Sequence, residues 1–254
     1  MKLELLHARV RFRDRAVTDV LDLALRFVVV HGRLYAKVAL PTLLPAILAT
    51  TLLHGEVGPF VWLAVVPLAI LVELPFTILA SRLVFEDHVR ARDVLRAALS
   101  DAPRVFFARL LAVLLTLAGV GLALLPGLVL ATVTFFVPEV MVLERGRVVA
   151  RAQRLTTTAT SEVVLGAILL ALIAAASVLV TDYAGRSILA EVLQFRAPPA
   201  IWTTGASVLG IGGLFLHLPF RATARFFLYL NVRTRAEGWD IQIRFAGISA
   251  EREA

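Results

Sequence analysis

Long apolar stretches alternate with short charged ones along this chain. Six stand out, at roughly 34–53, 59–81, 105–124, 128–143, 161–181 and 200–220. An α-helix needs about 20 apolar residues to cross about 30 Å of hydrocarbon. The pattern therefore predicts an all-α fold: a polytopic helical membrane bundle of about six transmembrane helices in three hairpins. The first hairpin turns at His54–Gly58 and the second at Pro126–Gly127, a dipeptide that signals a turn. The third has a longer connection, Asp182–Pro199, in which Ile188, Leu189, Val192, Leu193 and Phe195 suggest a short interfacial helix.

Ahead of the first stretch, Val20, Leu21, Ala24, Phe27 and Val28 recur at helical spacing. They predict a helix with one apolar face over 16–33. Thr18 would cap it, and Asp19 would sit in its first turn. Such a helix would lie on the inner membrane surface. Beyond the last stretch, Phe226, Phe227, Tyr229 and Leu230 continue an amphipathic pattern. Gly238 suits a helix C-cap, and Ile241, Ile243 and Phe245 then alternate with polar residues as in a strand. The chain divides into an amphipathic cytoplasmic or interfacial segment (1–33), a six-span membrane domain with amphipathic cytoplasmic helices (34–230), and a cytoplasmic tail with a short strand-like run (231–254).

Composition supports the membrane reading. The chain is 59% hydrophobic with mean hydropathy +0.84, well above a soluble domain. Charge then orients it. Lys and Arg number seven in residues 1–33, five in 82–104, four in 144–160 and six in 221–254. They number zero in 54–58, zero in 125–127 and two in 182–199. This asymmetry predicts a multi-pass inner-membrane protein with both termini in the cytoplasm. The net charge of +7 then serves orientation and anionic headgroups, and no nucleic-acid partner is expected. The polar N-terminus does not read as a cleaved signal peptide. Cysteine is absent, which removes disulfides, thiolate metal sites and cysteine nucleophiles.

Two cytoplasmic linkers echo each other. One runs from Phe85-Glu86 to Arg96, the other from Leu143-Glu144 to Arg154-Leu155, each with an acid followed ten residues on by Arg. The even-numbered spans also match at their inner ends, through Glu73-Leu74-Pro75, Pro138-Glu139 and His217-Leu218-Pro219. Arginine follows each proline six or seven positions later, at Arg82, Arg145 and Arg225. Three related hairpins would produce this pattern.

At both ends the chain resembles poorly characterised bacterial six-span membrane proteins, similar to the membrane domain attached to some glycerophosphodiester phosphodiesterases. The opening pattern is carried by Asp19, Leu21-Asp22-Leu23-Ala24, Phe27, His31 and Leu40-Pro41. The tail pattern is carried by Arg233, Arg235, Glu237, Gly238 and Asp240. The segment Leu143-Glu144 through Arg154-Leu155 is similar to the family's central linker. The resemblance implies a helical bacterial inner-membrane protein. It implies no reaction, because the phosphodiesterase chemistry of such fusions lies in a separate domain.

Candidate chemistry is sparse. Glu73, Glu139 and His217 each lie next to or near a proline in an even-numbered span, and an ionisable group at such depth usually faces protein or water. With Arg109 and Arg221 as counter-charges, they could line one polar cavity that holds an ion, a proton or a lipid headgroup. The competing reading has both glutamates near the interface, pairing locally, with His217 making a packing hydrogen bond. Gly119, Gly121, Ala167, Ala171, Gly205, Gly210, Gly212 and Gly213 mark close helix contacts. No nucleophile elbow, phosphate loop or zinc-protease motif is present, so neither enzyme activity nor a cofactor or metal is expected.

Two functions fit. The first is a non-enzymatic subunit that docks or scaffolds partner proteins through its basic cytoplasmic face, with Asp19, Asp22, Arg96, Arg154, Arg233, Arg235, Glu237, Trp239 and Asp240 as docking candidates. The second is a small transporter or lipid-handling protein that uses the Glu73/Glu139/His217 cavity. Membrane lipids, including anionic headgroups, are expected partners of either, and a homo-oligomer stays open.

Overall fold

The structure is a computed structural model that describes residues 15–144 and 148–237. Among them the chain is mostly helical, with no strand. In order, the helices are α1 (Val17–Val30), α2 (Gly32–Val57), α3 (Trp62–Phe85), α4 (Ala91–Leu122), α5 (Leu124–Val133), α6 (Val137–Leu143), α7 (Val148–Thr158), α8 (Thr160–Ser187), α9 (Ile201–Thr204) and α10 (Val208–Glu237). The strand-like run at 241–245 and the Gly238 cap lie outside the described residues.

Four stretches are long and apolar enough to cross a membrane: Gly32–Phe85, Ala91–Leu122, Leu124–Leu143 and Thr160–Val192. The first holds two of the six predicted spans. At 1.5 Å per residue its length far exceeds one bilayer crossing. Gly58, at φ +56°, breaks it into α2 and α3, which pack on each other. That left-handed backbone costs glycine little. The predicted sixth span, 200–220, is not among the four. Residues 200–207 form α9 and a turn, and α10 carries His217, Arg221 and Arg225.

The outer surface is apolar in stripes. Leu40, Leu44, Leu48 and Leu52 recur every four residues on α2 and are 57–67% exposed. The opposite face of α2 buries Tyr35, Val38, Ala46 and Thr50. An exposed leucine row of this kind on a soluble protein would drive association. On a membrane helix it meets lipid.

α10 is the hub. It packs along α8, α3, α1, α2 and α7, and every residue from Ala222 to Val232 is buried. The sequence predicts an amphipathic cytoplasmic segment here. The structure corrects the amphipathic part of that expectation, because neighbouring helices cover the polar positions as well as the apolar ones. Small residues permit the approach of α8: a Cβ on Gly213 would lie 2.6 Å from the Ser177 carbonyl oxygen. Gly210 also faces α8, whereas Gly121 and Gly212 face open space.

α1 carries the expected apolar face, with Val20, Leu21, Ala24 and Phe27 buried. That face is spent on α10, where Phe27 meets Phe227 edge-on at 5.0 Å. Its N-cap is Ala16, with no side-chain bond, so Thr18 lies inside the first turn and does not cap. Asn231 secures the entry instead, exchanging two 3.2 Å hydrogen bonds with the Arg15 backbone.

The second turn also moves. The chain reverses at Ala123, in extended backbone, and α5 begins at Leu124. Pro126 falls in the first helical turn, where its missing N–H costs nothing. Gly127 serves close packing, since a Cβ there would meet the Val120 backbone nitrogen at 2.6 Å. The long 182–199 connection is largely helix, as α8 runs into a π-turn at Ile188–Val192.

Candidate functional site

The five predicted cavity residues converge. The predicted fourth span is broken at Thr134–Phe136, and α6 restarts beside Pro138. This carries Glu139 into the bundle, fully buried. α3 brings Glu73, also buried, from a helix that contains Pro75. α10 brings the cations. His217, Arg221 and Arg225 stand four residues apart and share one face of α10.

Arg225 is the centre of the cluster. Its Nε donates to Glu139 Oε1 at 2.5 Å, and its NH1 lies 3.4 Å from Glu73 Oε1. Its side chain is 2% exposed, so both ion pairs are shielded from water and from salt. Arg221 Nε lies 3.7 Å from the same Glu73 oxygen. His217 is buried within electrostatic range of Glu73 and Arg221. Glu73, Glu139, His217 and Arg225 each keep one buried polar atom with no hydrogen-bond partner among the described residues. Buried polar atoms are normally satisfied by protein or ordered water. A cavity of about 10 Å³ lies between Glu73, Thr77, Arg109 and Arg225, near the smallest that holds a water.

Arg109 reaches the cluster from α4. It interacts electrostatically with Arg225, Glu73, Arg221 and Glu139, yet has no ion-pair partner among the described residues. Arg109 and Arg221 also border a groove of about 420 Å³ between α4, α5 and α8. The rest of its wall is apolar side chains and two threonines, whose hydroxyls bond back to their own helices at 2.8 and 2.7 Å. Ala167 and Ala171, predicted to close a helix contact, leave this groove open instead.

The docking candidates do not gather into one patch. Asp19 and Asp22 are exposed on α1, where Asp22 pairs with Arg26 at 2.9 Å. Arg96 and Arg154 are exposed on α4 and α7. Arg154 borders a surface depression with Glu144, Arg151 and Thr157. Arg233 and Arg235 are engaged within the chain. Glu144 accepts from Tyr229 Oη at 2.5 Å and Arg151 Nε at 2.7 Å, with Arg233 NH1 3.6 Å away. Arg235 bonds Glu162 at the start of α8. The Tyr229 hydroxyl is the donor to Glu144, because an ionised carboxylate only accepts. Trp239 and Asp240 lie outside the described residues, as does the Glu237 side chain.

Sequence reasoning placed Glu73, Glu139, His217, Arg109 and Arg221 in one cavity and noted Arg225 only for its spacing from Pro219, not as the residue that joins them. One signal was present: His217, Arg221, Arg225, Tyr229 and Arg233 repeat every four residues, a polar stripe on one helix. Among the described residues, no group of His, Asp or Glu is placed to hold a metal ion. Comparison with family models, curated proteins and solved structures finds no match.

Proposed function

We propose that this chain is a non-enzymatic multi-pass membrane protein that handles an acidic ligand, lipid or solute, at the polar centre around Arg225. The observation that carries this reading is Arg109. It is a guanidinium on an apolar helix with no carboxylate in ion-pair range among the described residues, beside a groove that could hold a ligand. Charges at such depth are costly and commonly mark a substrate path. Interruption of a span next to the centre, at 134–136, is a recurrent feature of transporter sites.

In this reading α2, α3, α4, α5 with α6, α8 and α10 form six crossings of a bacterial inner membrane, and both termini are cytoplasmic. α10 can cross despite its arginines because other helices surround its charged face. The scaffold reading draws less support. Of its docking candidates, Arg233 and Arg235 are engaged in intramolecular pairs, and the apolar face of the 16–33 helix packs on α10.

Mass spectrometry of the full chain released from native membrane tests the proposal. We expect a retained acidic small molecule or lipid that is lost from Arg109→Gln while the fold persists. A chain that retains no ligand and instead co-purifies with a stoichiometric protein partner would return the scaffold reading to first place.

A further inference from the structure

We infer that the groove seats one anionic phospholipid, its phosphate on Arg109 and Arg221 and one acyl chain running along α4 and α8. This rests on the reading that the polar centre takes an acidic ligand, and it names that ligand.

Shape argues for a lipid. From Arg109 to Leu117 the groove follows two turns of α4, roughly 12 Å at 1.5 Å per residue. Its far wall is Ala167, Ala171 and Ala174 of α8. Small side chains at helical spacing leave a channel, and the threonine hydroxyls in it are already satisfied. Polar contacts are therefore offered only at the arginine end. The neighbouring surface of both helices exposes apolar side chains such as Leu114 and Leu172, at 54% and 60%. An occupant thus enters from the lipid phase, which a free solute would not.

Charge argues for the headgroup. The cluster sets three guanidinium groups, Arg109, Arg221 and Arg225, against two carboxylates, Glu73 and Glu139. Arg225 serves both carboxylates. Arg221 has one long contact, and Arg109 has no carboxylate in ion-pair range among the described residues. One further negative charge would balance the cluster. A phosphodiester supplies one, and guanidinium groups bind phosphate oxygens through directed N–H bonds. A zwitterionic headgroup brings its own cation into the field of the arginines and is disfavoured. Along α4 the groove runs from Arg109 to Leu117, so its arginine end is the one nearer the basic 82–104 linker, and the lipid belongs to the leaflet that linker faces.

The test is native mass spectrometry of the full chain, delipidated and mixed with equal phosphatidylglycerol and phosphatidylcholine in detergent micelles. We expect retention to favour phosphatidylglycerol by roughly tenfold or more, the scale of a lost charge-assisted hydrogen bond. Arg109→Gln should reduce that preference severalfold, and Arg109→Gln/Arg221→Gln should abolish it. Ala171→Phe, which fills the groove outside the charge cluster, should reduce retention of both lipids. It keeps the test decisive if the arginine variants do not fold. Excess glycerol phosphate should not displace the lipid.

Equal retention of the two lipids by the wild type would overturn the inference. So would a preference that survives both arginine substitutions, or full retention in Ala171→Phe. Displacement by glycerol phosphate would reassign the site to a free anion and leave the polar-centre reading intact. Absence of any ligand that depends on Arg109 would remove both.

Discussion

Five polar side chains repeat every four residues along α10, and the ion pairs of that helix sit in two different surroundings. At their inner end Arg225, the middle residue of the stripe, meets Glu73 and Glu139 with side chains 5% exposed or less. At their outer end Arg233, the last of the stripe, meets Glu144 at 14% and 15% exposure, and Arg235 just beyond it meets Glu162 at 37% and 23%. The pairing chemistry is the same, but the surroundings change what each pair does. In a buried site the attraction mainly offsets desolvation, so the pair specifies the arrangement more than it stabilises it. Near water the same pair contributes little and is easily replaced. The inner end therefore has the character of a functional centre. The outer end resembles a set of ties that hold α10 to the end of α6 and to α8.

The largest effect should come from the inner end. Arg225→Met leaves the Glu139 carboxylate buried without its ion-pair partner and Glu73 with only its 3.7 Å contact to Arg221, and should destabilise the fold by about 3–5 kcal/mol, read from helical signal during an SDS titration. The triple change Arg225→Met/Glu73→Leu/Glu139→Leu removes both Arg225 ion pairs whole, leaves Arg109 and the part-exposed Arg221 charged, and should regain much of that loss. If it does not, the cluster stabilises the fold outright and the contrast drawn above is wrong.

Tyr229→Phe comes next. It removes the hydroxyl that donates to Glu144 and accepts from Arg233 at 3.0 Å. A loss of about 1–2 kcal/mol is expected in the same titration. A loss as large as that of Arg225→Met would erase the distinction between the two ends.

Arg235→Ala should cost less than about 1 kcal/mol. The smallest effect, and the sharpest discriminator, is salt. Raising ionic strength from about 0.1 M to 1 M shortens the screening length from about 10 Å to about 3 Å. It should shrink the cost of Arg235→Ala and leave that of Arg225→Met unchanged. Equal salt sensitivity would mean that water reaches Arg225.

Much of the fold is legible in the residues. Apolar runs mark the helices, and the Val20-Leu21-Ala24-Phe27 spacing marks the buried face of α1. The prolines beside Glu73 and Glu139 mark the two acids that meet. What escaped the pattern has physical causes. Arg225 follows the last apolar run, so a hydropathy reading assigns it to the cytoplasm, although carboxylates from α3 and α6 receive it inside the bundle. Pro126-Gly127 reads as a turn because local preference does not distinguish a turn from the first turn of a helix packed on its neighbour. Ala167 and Ala171 read as a closed contact, since spacing reveals small side chains but not whether a partner fills the space above them.

The sequence by itself determined that this chain is a helical membrane protein with a few ionisable residues at depth. Apolar run length and charge placement are local, and solvation acts on them residue by residue. Only the tertiary structure decided which charges meet, because Glu73, Glu139 and Arg225 are far apart in sequence and each is tolerable only in the presence of the others. Packing likewise left Arg109 with no carboxylate in range among the described residues, at the head of an apolar groove. That arrangement depends on how four helices sit together, which no single stretch of residues encodes.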